Sequence, residues 1–293
     1  MENVLHGQRQ RSTLATADDE REVDLLGQGA GVLSRVERMQ LEFVRRTFRQ
    51  GNVDKGVRVL QRKLGAIWIE RCMKNVRHVY NLDRVPPLDP KKSYICVSNH
   101  RSFFDLYVVT AYLVYRDLLP HRILFPVRSK FFYDNPLGLF VNGAMSFFAM
   151  YPPVFREPNR THLNPLVLDE VTRLAKRGGF FVGVHPEGLR NRGNDPYDLL
   201  PARYGVGRIV HGSGATVLPV FVNGLCNDIV KQIKGNFDGT GERAHVVFGK
   251  PVDMSDLLAQ PAERSTYQLI ANRSLAAVKQ LAEEERRIRY DLA

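Results

Sequence analysis

The sequence predicts an α/β fold whose mixed, largely parallel sheet is flanked by helices. Short apolar runs, each typical of a buried strand, recur from residue 94 to residue 254. Segments with a helical spacing of apolar residues separate these runs, and this alternation is typical of parallel sheets. The 293 residues are 44% hydrophobic and 25% charged, which is the composition of a globular chain with a substantial core.

The predicted elements follow one another in a regular order. Strands are predicted in five stretches, which read SYICVSNH, RILFPVRS, FFVGVHPEG, ATVLPVFVNG and HVVFGKPVDM. Helices are predicted over residues 105–118, Leu163–Arg177, 202–213 and 262–290, and Gly178-Gly179 ends the second of them. In α/β sheets, ligands bind beyond the carboxyl ends of the strands. The polar turns that follow the strands are therefore where we expect the chemistry.

A basic, amphipathic segment lies before these strands, over residues 33–84. It holds 13 Lys and Arg against five Asp and Glu, a net charge of 13 − 5 = +8. Apolar residues recur in it at helical intervals, and two glycines interrupt it, so we expect two helices and a turn. Such a pair is a solvated basic face over a core stripe, a membrane-contact segment that lies on anionic lipid, or a nucleic-acid-binding segment. We expect residues 1–32 to be a disordered tail and residues 85–293 to form the α/β domain.

One further stretch is a candidate for membrane contact. Residues Pro136–Phe155 carry no charge, but Asn142 and the pair Pro152-Pro153 interrupt them. We expect a buried helix followed by a strand, in preference to a segment that dips into the bilayer. Since no stretch is predicted to cross a membrane, any membrane contact should be peripheral, and we expect it on the cytoplasmic face.

Charge and cysteine content narrow the partners. The formal net charge is 42 − 31 = +11, which predicts an anionic partner such as nucleic acid, a membrane surface or a phosphorylated small molecule. The three cysteines, Cys72, Cys96 and Cys226, have neither disulfide-framework nor zinc-site spacing, which favours a reducing compartment and no metal. The sequence has no base-stacking or base-reading motif, so we expect no nucleic-acid partner.

The first chemical motif reads NHRSFFD and directly follows a predicted strand. If His100 stays in the turn and Asp105 lies in the first turn of the next helix, the two side chains can meet. Asp105 would then accept a hydrogen bond from one imidazole nitrogen, and the other nitrogen would face the pocket as a general base. The alternative is a strand-end histidine with a structural role.

The second motif reads HPEGLRNR and follows the strand FFVGV. Gly188 allows the backbone to approach a ligand, and the planar guanidinium of Arg190 is suited to phosphate. Glu187 could pair with an arginine or orient it. Arg128 and Arg156 follow two other predicted strands, where they are either solvated charges or ligands of an anion.

Together these motifs resemble the lysophosphatidic acid-type glycerolipid acyltransferases. The sequence has NH-x4-D at Asn99–Asp105, a strand-end arginine, PEG-x-R at Pro186–Arg190 and an apolar strand with Pro219, in that order. The resemblance implies an acyltransferase domain that moves a fatty acyl group to the hydroxyl of a lysophospholipid or glycerol phosphate lipid. The donor would be an acyl thioester of coenzyme A or of an acyl carrier protein, and no cofactor would be bound.

The resemblance also implies roles for individual residues. His100 would deprotonate the acceptor hydroxyl, and Asp105 would orient His100. The residues expected to bind the acceptor are Glu187, Gly188, Arg190, Arg156 and Arg128. A developing oxyanion needs hydrogen-bond donors, and we expect them in the turn Asn99–Ser102.

Two departures from the family pattern leave the acceptor open. Leu189 stands where the family often has a small hydroxyl residue, and Pro152-Pro153 interrupts the apolar run before the second-block arginine. Two alternatives also remain. One is a lipid hydrolase or thioesterase that uses the same His-Asp pair on water, and the other is a protein that binds anionic lipid without catalysis.

Overall fold

Seven strands form one sheet at the centre of the computed structural model, which describes residues 23–292. The strands are β1 (Arg77–Tyr80), β2 (Tyr94–Ser98), β3 (Arg122–Arg128), β4 (Met150–Val154), β5 (Phe180–Val184), β6 (Thr216–Asn223) and β7 (Ala244–Phe248). Their order across the sheet is β1-β7-β6-β2-β5-β3-β4. Neighbouring strands are parallel except β6 and β7, which are antiparallel. The predicted mixed, largely parallel sheet is confirmed.

Helices flank this sheet. They are α1 (Leu25–Gln28), α2 (Arg35–Arg46), α3 (Asn52–Leu60), α4 (Ala66–Met73), α5 (Asp105–Tyr115), α6 (Ser129–Phe132), α7 (Gly138–Ser146), α8 (Asn164–Arg177), α9 (Gly205–Ser213), α10 (Ile229–Asp238), α11 (Ser255–Leu258) and α12 (Arg264–Asp291). A π-helical turn over Gln61–Gly65 joins α3 to α4 without a break. The four helices and five strands predicted from residue 94 onward are all present, with small differences at their ends.

The core lies around the middle strands. Every residue of β2 and β5 is buried, and Ile95, Cys96 and Val97 have no exposed surface. Strands that are apolar along their whole length are expected where both faces of the sheet are covered. Helix α5 is buried at nine of its eleven positions, so it is a core helix rather than an amphipathic surface helix. This rigid centre supports the turn between β2 and α5.

The parallel strands bring the predicted motifs to one edge of the sheet. Strands β2 to β6 run in the same direction, so their carboxyl ends meet there. The NHRSFFD turn follows β2, and the HPEGLR turn follows its neighbour β5. Arg128 ends β3, and Arg156 lies two residues beyond β4. The topology therefore places four separate sequence segments around one site.

The N-terminal region differs from expectation in two places. The predicted disordered tail lies outside the described residues for 1–22, but it is wrong for 23–32, because α1 lies there and Leu25 is buried. The prediction that residues 33–84 are helical is wrong at β1, which pairs in parallel with β7. The boundary drawn after residue 84 therefore cuts through the sheet. The four residues of β1 read RHVY, which is too short and too polar to show a strand period.

Part of the basic charge of residues 33–84 stabilises the fold internally. The side chain of Arg77 is 3% exposed, and its Nη2 lies 2.6 Å from Oε1 of Glu70. Arg58 donates to Asp54 at 2.8 Å and to the carbonyl of Gly179 at 2.8 Å. These arginines therefore hold α3 and α4 in place, and only the exposed cations remain for an external partner.

The prolines of β4 and β6 lie in different settings. Pro152 and Pro153 lie in β4, the outermost strand, where missing N–H groups cost least. Pro219 lies instead in an interior strand, because β6 is between β7 and β2. Pro219 fits there because it falls between an isolated bridge at Val217 and the β7 ladder, which begins at Val220.

The expected helix followed by a strand over residues 136–155 is confirmed as α7 and β4. Helix α7 is not buried, however, since Leu137 and Phe140 beside and within it are 65% and 73% exposed. Among residues 23–292, no helix is both long enough and apolar enough to span a bilayer.

Candidate active site

His100 and Asp105 lie together at the carboxyl end of β2, as the motif predicts. His100 stays in the turn, and Asp105 is the first residue of α5. Nδ1 of His100 lies 3.4 Å from Oδ2 of Asp105. The same oxygen accepts the backbone N–H groups of Arg101 and Ser102, each at 2.8 Å. Asp105 is thus fixed by the turn that carries His100, and the imidazole has one nitrogen directed to the carboxylate.

The surroundings shift the pKa of both groups. Burial, and then the positive charges of Arg190 and Arg156, lower the pKa of His100 to about 4. Burial raises the pKa of Asp105 to about 6, although the N–H donors of Arg101 and Ser102 favour its charged form. His100 is therefore neutral at pH 7, which is the state that a general base requires.

A second histidine packs against the first, and the sequence motif gave it no role. The ring of His185 is parallel to that of His100 within 3°, and their centroids are 3.8 Å apart. Nδ1 of His185 lies 3.0 Å from the carbonyl oxygen of Ser98 in β2. Burial and the neighbouring His100 lower the pKa of His185 to about 3. His185 is therefore a neutral aromatic wall that holds the plane of the His100 ring.

His100, Asp105 and His185 bring three ligand-type atoms within 4.8 Å of one another. Imidazole binds a metal ion through a lone pair that lies in the plane of its ring. Because the two rings are stacked in parallel planes, one ion cannot lie in the plane of both. The arrangement fits two stacked imidazole rings rather than the convergent ligands of a zinc site.

Glu187 lies beneath the site and supports it. Its side chain is almost fully buried, at 1% exposure. Oε1 accepts the backbone N–H of His100 at 2.8 Å, and Oε2 accepts that of Leu200 at 2.7 Å. Burial raises the pKa of Glu187. Both oxygens are thus engaged by the protein, so the structure connects the PEG motif to the backbone of His100 rather than directing this carboxylate at a ligand.

The turn around His100 leaves few donors for an oxyanion. The backbone N–H groups of residues 100–103 are all taken, by Glu187, by Asp105 twice and by the side chain of Asn227. The side chain of Asn99 is also taken, because it bonds both backbone groups of Val222 in β6. The oxyanion donors expected in Asn99–Ser102 stay a prediction, because the N–H groups of residues 100–102 and the side chain of Asn99 already have partners within the protein.

Arginines gather beside the PEG turn. Arg156 donates to the carbonyl of Gly188 at 3.1 Å, and Gly188 has a φ of +65°, which favours glycine. Burial, followed by the charges of Arg128 and Arg203, lowers the pKa of Arg156. Arg203 also lies against Gly188, since a Cβ atom added at residue 188 would be 3.0 Å from Cδ of Arg203. One acid, Glu157, faces this group, 3.6 Å from Arg128. The cluster therefore has an excess of positive charge, and Arg203 is a member that the motifs did not indicate.

Arg190, two residues after Gly188, contacts a different loop. Its Nη1 donates to Oδ1 of Asn227 at 2.8 Å, in the loop that follows β6. Nδ2 of Asn227 in turn donates to the carbonyl oxygen of Arg101 at 3.2 Å. This bridge connects the loops after β2, β5 and β6. The positive charges of Arg190 and Arg156 both act on His100, so an anion bound between them would lie next to the base.

Two apolar clefts lie behind the turn. One lies between α4, α5 and α10, and Phe104 and Tyr107 line it. The other lies between the helical rod α3–α4, α5 and the end of α7, and it also meets Tyr107. Because Phe104 belongs to the turn between His100 and Asp105, the first cleft borders that turn.

Comparison with known proteins identifies the class. The acyltransferase family profile matches residues 74–223, which is just over half of the chain. The chain therefore belongs to the acyltransferase family and is an enzyme of that class, which confirms the resemblance read from the motifs. No curated protein sequence matches it. The fold is similar to the crystal structure of the 1-acyl-sn-glycerophosphate acyltransferase PlsC from Thermotoga maritima, with a TM-score of 0.51 and 17% identity over 90% of this chain and 94% of that one.

Proposed function

We propose that this acyltransferase moves a fatty acyl group from an acyl thioester to the hydroxyl of a lysophospholipid or glycerol phosphate lipid. The donor is coenzyme A or an acyl carrier protein carrying the chain. The observation that supports this most strongly is the pair His100–Asp105 facing arginines from two other loops, Arg190 and Arg156. A hydroxyl next to a phosphate is the acceptor that such a site can bind and activate.

In the proposed reaction, Nε2 of His100 takes the proton of the acceptor hydroxyl while the oxygen attacks the thioester carbonyl. The tetrahedral intermediate collapses, the carbon–sulfur bond breaks, and the thiolate leaves with the proton returned by the imidazolium. Asp105 stabilises this imidazolium through Nδ1. No acyl-enzyme is formed, since the acceptor attacks directly. The oxyanion is stabilised by an arginine of the site, because the N–H groups of the turn are taken.

The acceptor phosphate is bound by the arginines around Gly188. Guanidinium groups bind phosphate through paired N–H donors. Arg156 and Arg203 lie against Gly188, Arg190 bonds Asn227, and Arg128 pairs with Glu157. This arrangement supports a phosphorylated acceptor. The apolar cleft next to Phe104 supports a fatty chain on the donor, because it can enclose methylene groups.

The exposed cations of residues 33–84 support peripheral contact with anionic lipid. Arg38, Lys55, Lys63 and Lys74 are exposed, and no acidic partner lies within ion-pair distance of them in the described part of the chain. Each such residue near a membrane surface contributes about 1 kcal/mol. We place this contact on the cytoplasmic face, because the three cysteines are free.

The acyl-transfer assay that tests the proposal measures the acylated lipid and the released thiol in the same reaction. The purified full chain is incubated with acyl-coenzyme A or acyl carrier protein and with lysolipids that do or do not carry phosphate, and the products are read by mass spectrometry. We expect transfer that requires a phosphorylated acceptor, and His100→Ala should lower it by about 10²–10⁴-fold. His162→Ala is the matched control, since His162 is exposed on a short helical turn after β4.

Two outcomes would overturn the proposal. Thiol release that does not depend on an acceptor, with free fatty acid as product, would show a thioesterase. Transfer by the His100→Ala variant at the rate of the His162→Ala control would remove the proposed base.

A further inference from the structure

Asn227 lies where three loops of the site meet, and the sequence motifs gave it no role. Its Oδ1 accepts Nη1 of Arg190 at 2.8 Å and the backbone N–H of Phe103 at 3.2 Å. Its Nδ2 donates to the carbonyl oxygen of Arg101 at 3.2 Å. Both ends of this amide therefore contact either a proposed phosphate ligand or the turn that carries His100.

The loop around Asn227 is held on both sides, although the Asn227 side chain is exposed. The backbone N–H of Cys226 donates to Oε1 of Gln232 at 2.9 Å, and the carbonyl oxygen of Cys226 accepts Oγ of Ser102 at 3.2 Å. The carboxylate of Asp228 accepts two backbone N–H groups at the start of α10, each at 3.0 Å. The position of the Asn227 amide is therefore set by its neighbours before any ligand binds.

The partner of Arg190 differs in kind from the partners of other arginines in the chain. Arg77, Arg208 and Arg273 each pair with a carboxylate. Arg190 donates to an amide oxygen instead, and no carboxylate lies within ion-pair distance of it in the described part of the chain. An amide oxygen orients a guanidinium without cancelling its charge. The charge of Arg190 therefore remains for an external anion.

Arg190 also has unused hydrogen-bond donors. Of its guanidinium nitrogens, only Nη1 has a partner among residues 23–292. The edge formed by Nε and Nη2 is free to donate to paired oxygens of a phosphate, as the planar guanidinium does in other proteins. Because the charge of Arg190 lowers the pKa of His100, a phosphate held by Arg190 would lie close to the proposed base.

We propose that Asn227 is a positioning residue that selects a phosphorylated acceptor, because it holds Arg190 through a neutral oxygen and leaves the guanidinium charge for the acceptor phosphate. This inference rests on the proposed function, and it assigns the choice of acceptor charge to the loop after β6. A carboxylate at residue 227 would hold Arg190 in the same place, but it would form an ion pair that the phosphate must displace. An apolar side chain would release both Arg190 and the N–H of Phe103.

Steady-state kinetics of Asn227→Asp and Asn227→Ala, with a phosphorylated lysolipid as the varied substrate, test the proposal. Asn227→Asp keeps both bonds of Oδ1, yet we expect it to raise the acceptor KM by about tenfold or more, the value of one charged hydrogen bond. Asn227→Ala should raise this KM less, because it adds no negative charge, and it should lower kcat because the turn loses two bonds. If Asn227→Asp had the KM of the unchanged chain and only Asn227→Ala raised it, neutrality would be irrelevant and the proposal wrong.

Asn194→Asp is the matched control. Asn194 is exposed in the loop after β5, so the variant adds the same charge on the surface, and its acceptor KM should stay within about twofold of that of the unchanged chain. A double-mutant cycle with Arg190→Gln then isolates the contact. In the Arg190→Gln background, Asn227→Asp should raise the KM by less than about threefold, because the charge that it neutralises is absent. An equal rise in both backgrounds would refute a role through Arg190.

Binding of glycerol 3-phosphate, measured by titration calorimetry without an acyl donor, separates this inference from the proposed reaction. We expect the unchanged chain to bind it and Asn227→Asp to bind it about tenfold more weakly. Acyl transfer by the unchanged chain, with no effect of Asn227→Asp on KM or on binding, would overturn the inference and leave the proposed function standing. Binding that depends on Asn227, with no acyl transfer, would overturn the function and support the inference.

Discussion

Replacing Glu187 by Gln distinguishes a supporting carboxylate from a substrate ligand. In the structure, Glu187 accepts two backbone N–H groups, from His100 at 2.8 Å and from Leu200 at 2.7 Å, at 1% exposure. Gln offers one oxygen and one NH₂ group. One hydrogen bond therefore becomes neutral, and the other is replaced by two donors that face each other.

The expected magnitude follows from these two bonds. Hydrogen bonds to a charged group each contribute about 1.5–3 kcal/mol, and neutral ones about half of that. The altered hydrogen bonds alone should lower the free energy of unfolding by about 2–4 kcal/mol. The burial that raises the pKa of Glu187 shows that its charge is itself disfavoured, so we expect a net loss of about 1–3 kcal/mol. A displaced His100 backbone should also lower kcat by about 10²-fold, because catalytic geometry tolerates little shift.

Thermal unfolding and steady-state kinetics on the same preparations provide the assay. Glu157→Gln is the matched control, since Glu157 is 30% exposed and pairs with Arg128 at 3.6 Å, so it should change stability by less than about 1 kcal/mol. The reasoning would be refuted if Glu187→Gln left stability and kcat unchanged and raised only the KM of the acceptor. That result would return Glu187 to the acceptor-binding role that the sequence resemblance implies.

Two other substitutions at the site have definite expected outcomes. Asp105→Asn should abolish transfer yet stabilise the folded protein at pH 7 by up to about 3 kcal/mol. The pKa of Asp105 is raised to about 6 in the folded state, so the unchanged protein loses stability as the pH rises from about 4 to 6, and the variant does not. Urea unfolding at pH 4 and pH 7 checks this, and equal stabilisation at both would contradict it. His185→Ala should lower kcat more than it changes KM, since it removes the wall beside the ring of His100, and His185→Phe should restore much of the loss. Equal kcat in the Ala and Phe variants would show that stacking has no positioning role.

The sequence predicted the part of the fold that has strong local signals. The strands from residue 94 onward are continuous apolar runs between turn residues, and these patterns identify buried parallel strands without long-range information. Strand β1 was missed because its four residues, RHVY, gain their pairing with β7 from tertiary contact alone. The tail boundary failed for a similar reason, since Leu25 belongs to the buried core cluster although its neighbours in the sequence show no strong apolar pattern.

The site residues could be predicted where the interacting side chains lie close together in the sequence. His100 and Asp105 meet because one ends a turn and the other begins a helix, which the motif itself indicates. Arg203 carries no such signal, because it contacts Gly188 only after the loop beyond β5 folds back. The stacking of His185 likewise depends on the register of β2 against β5, which places the two turns side by side.

The arginines of the site create a conflict that substrate binding should relieve. Arg190 and Arg156 lower the pKa of His100, so the cations that would bind the acceptor also weaken the base. A bound phosphate neutralises part of their charge, and the pKa of His100 should then rise toward its ordinary value. Because a base acts only when deprotonated, activity increases as the pH rises through this pKa.

We therefore expect the acid limb of kcat to lie at higher pH than that of kcat/KM, since the first reports the bound enzyme and the second the free one. A phosphodiester acceptor avoids titration of the substrate itself. The gap should narrow in an Arg156→Gln variant, because one of the two positive charges that lower the pKa of His100 is then absent. Coincident limbs in the unchanged enzyme would mean that the phosphate does not bind near enough to His100 to act on its charge, and the arginine cluster would then lose its place in the acceptor site.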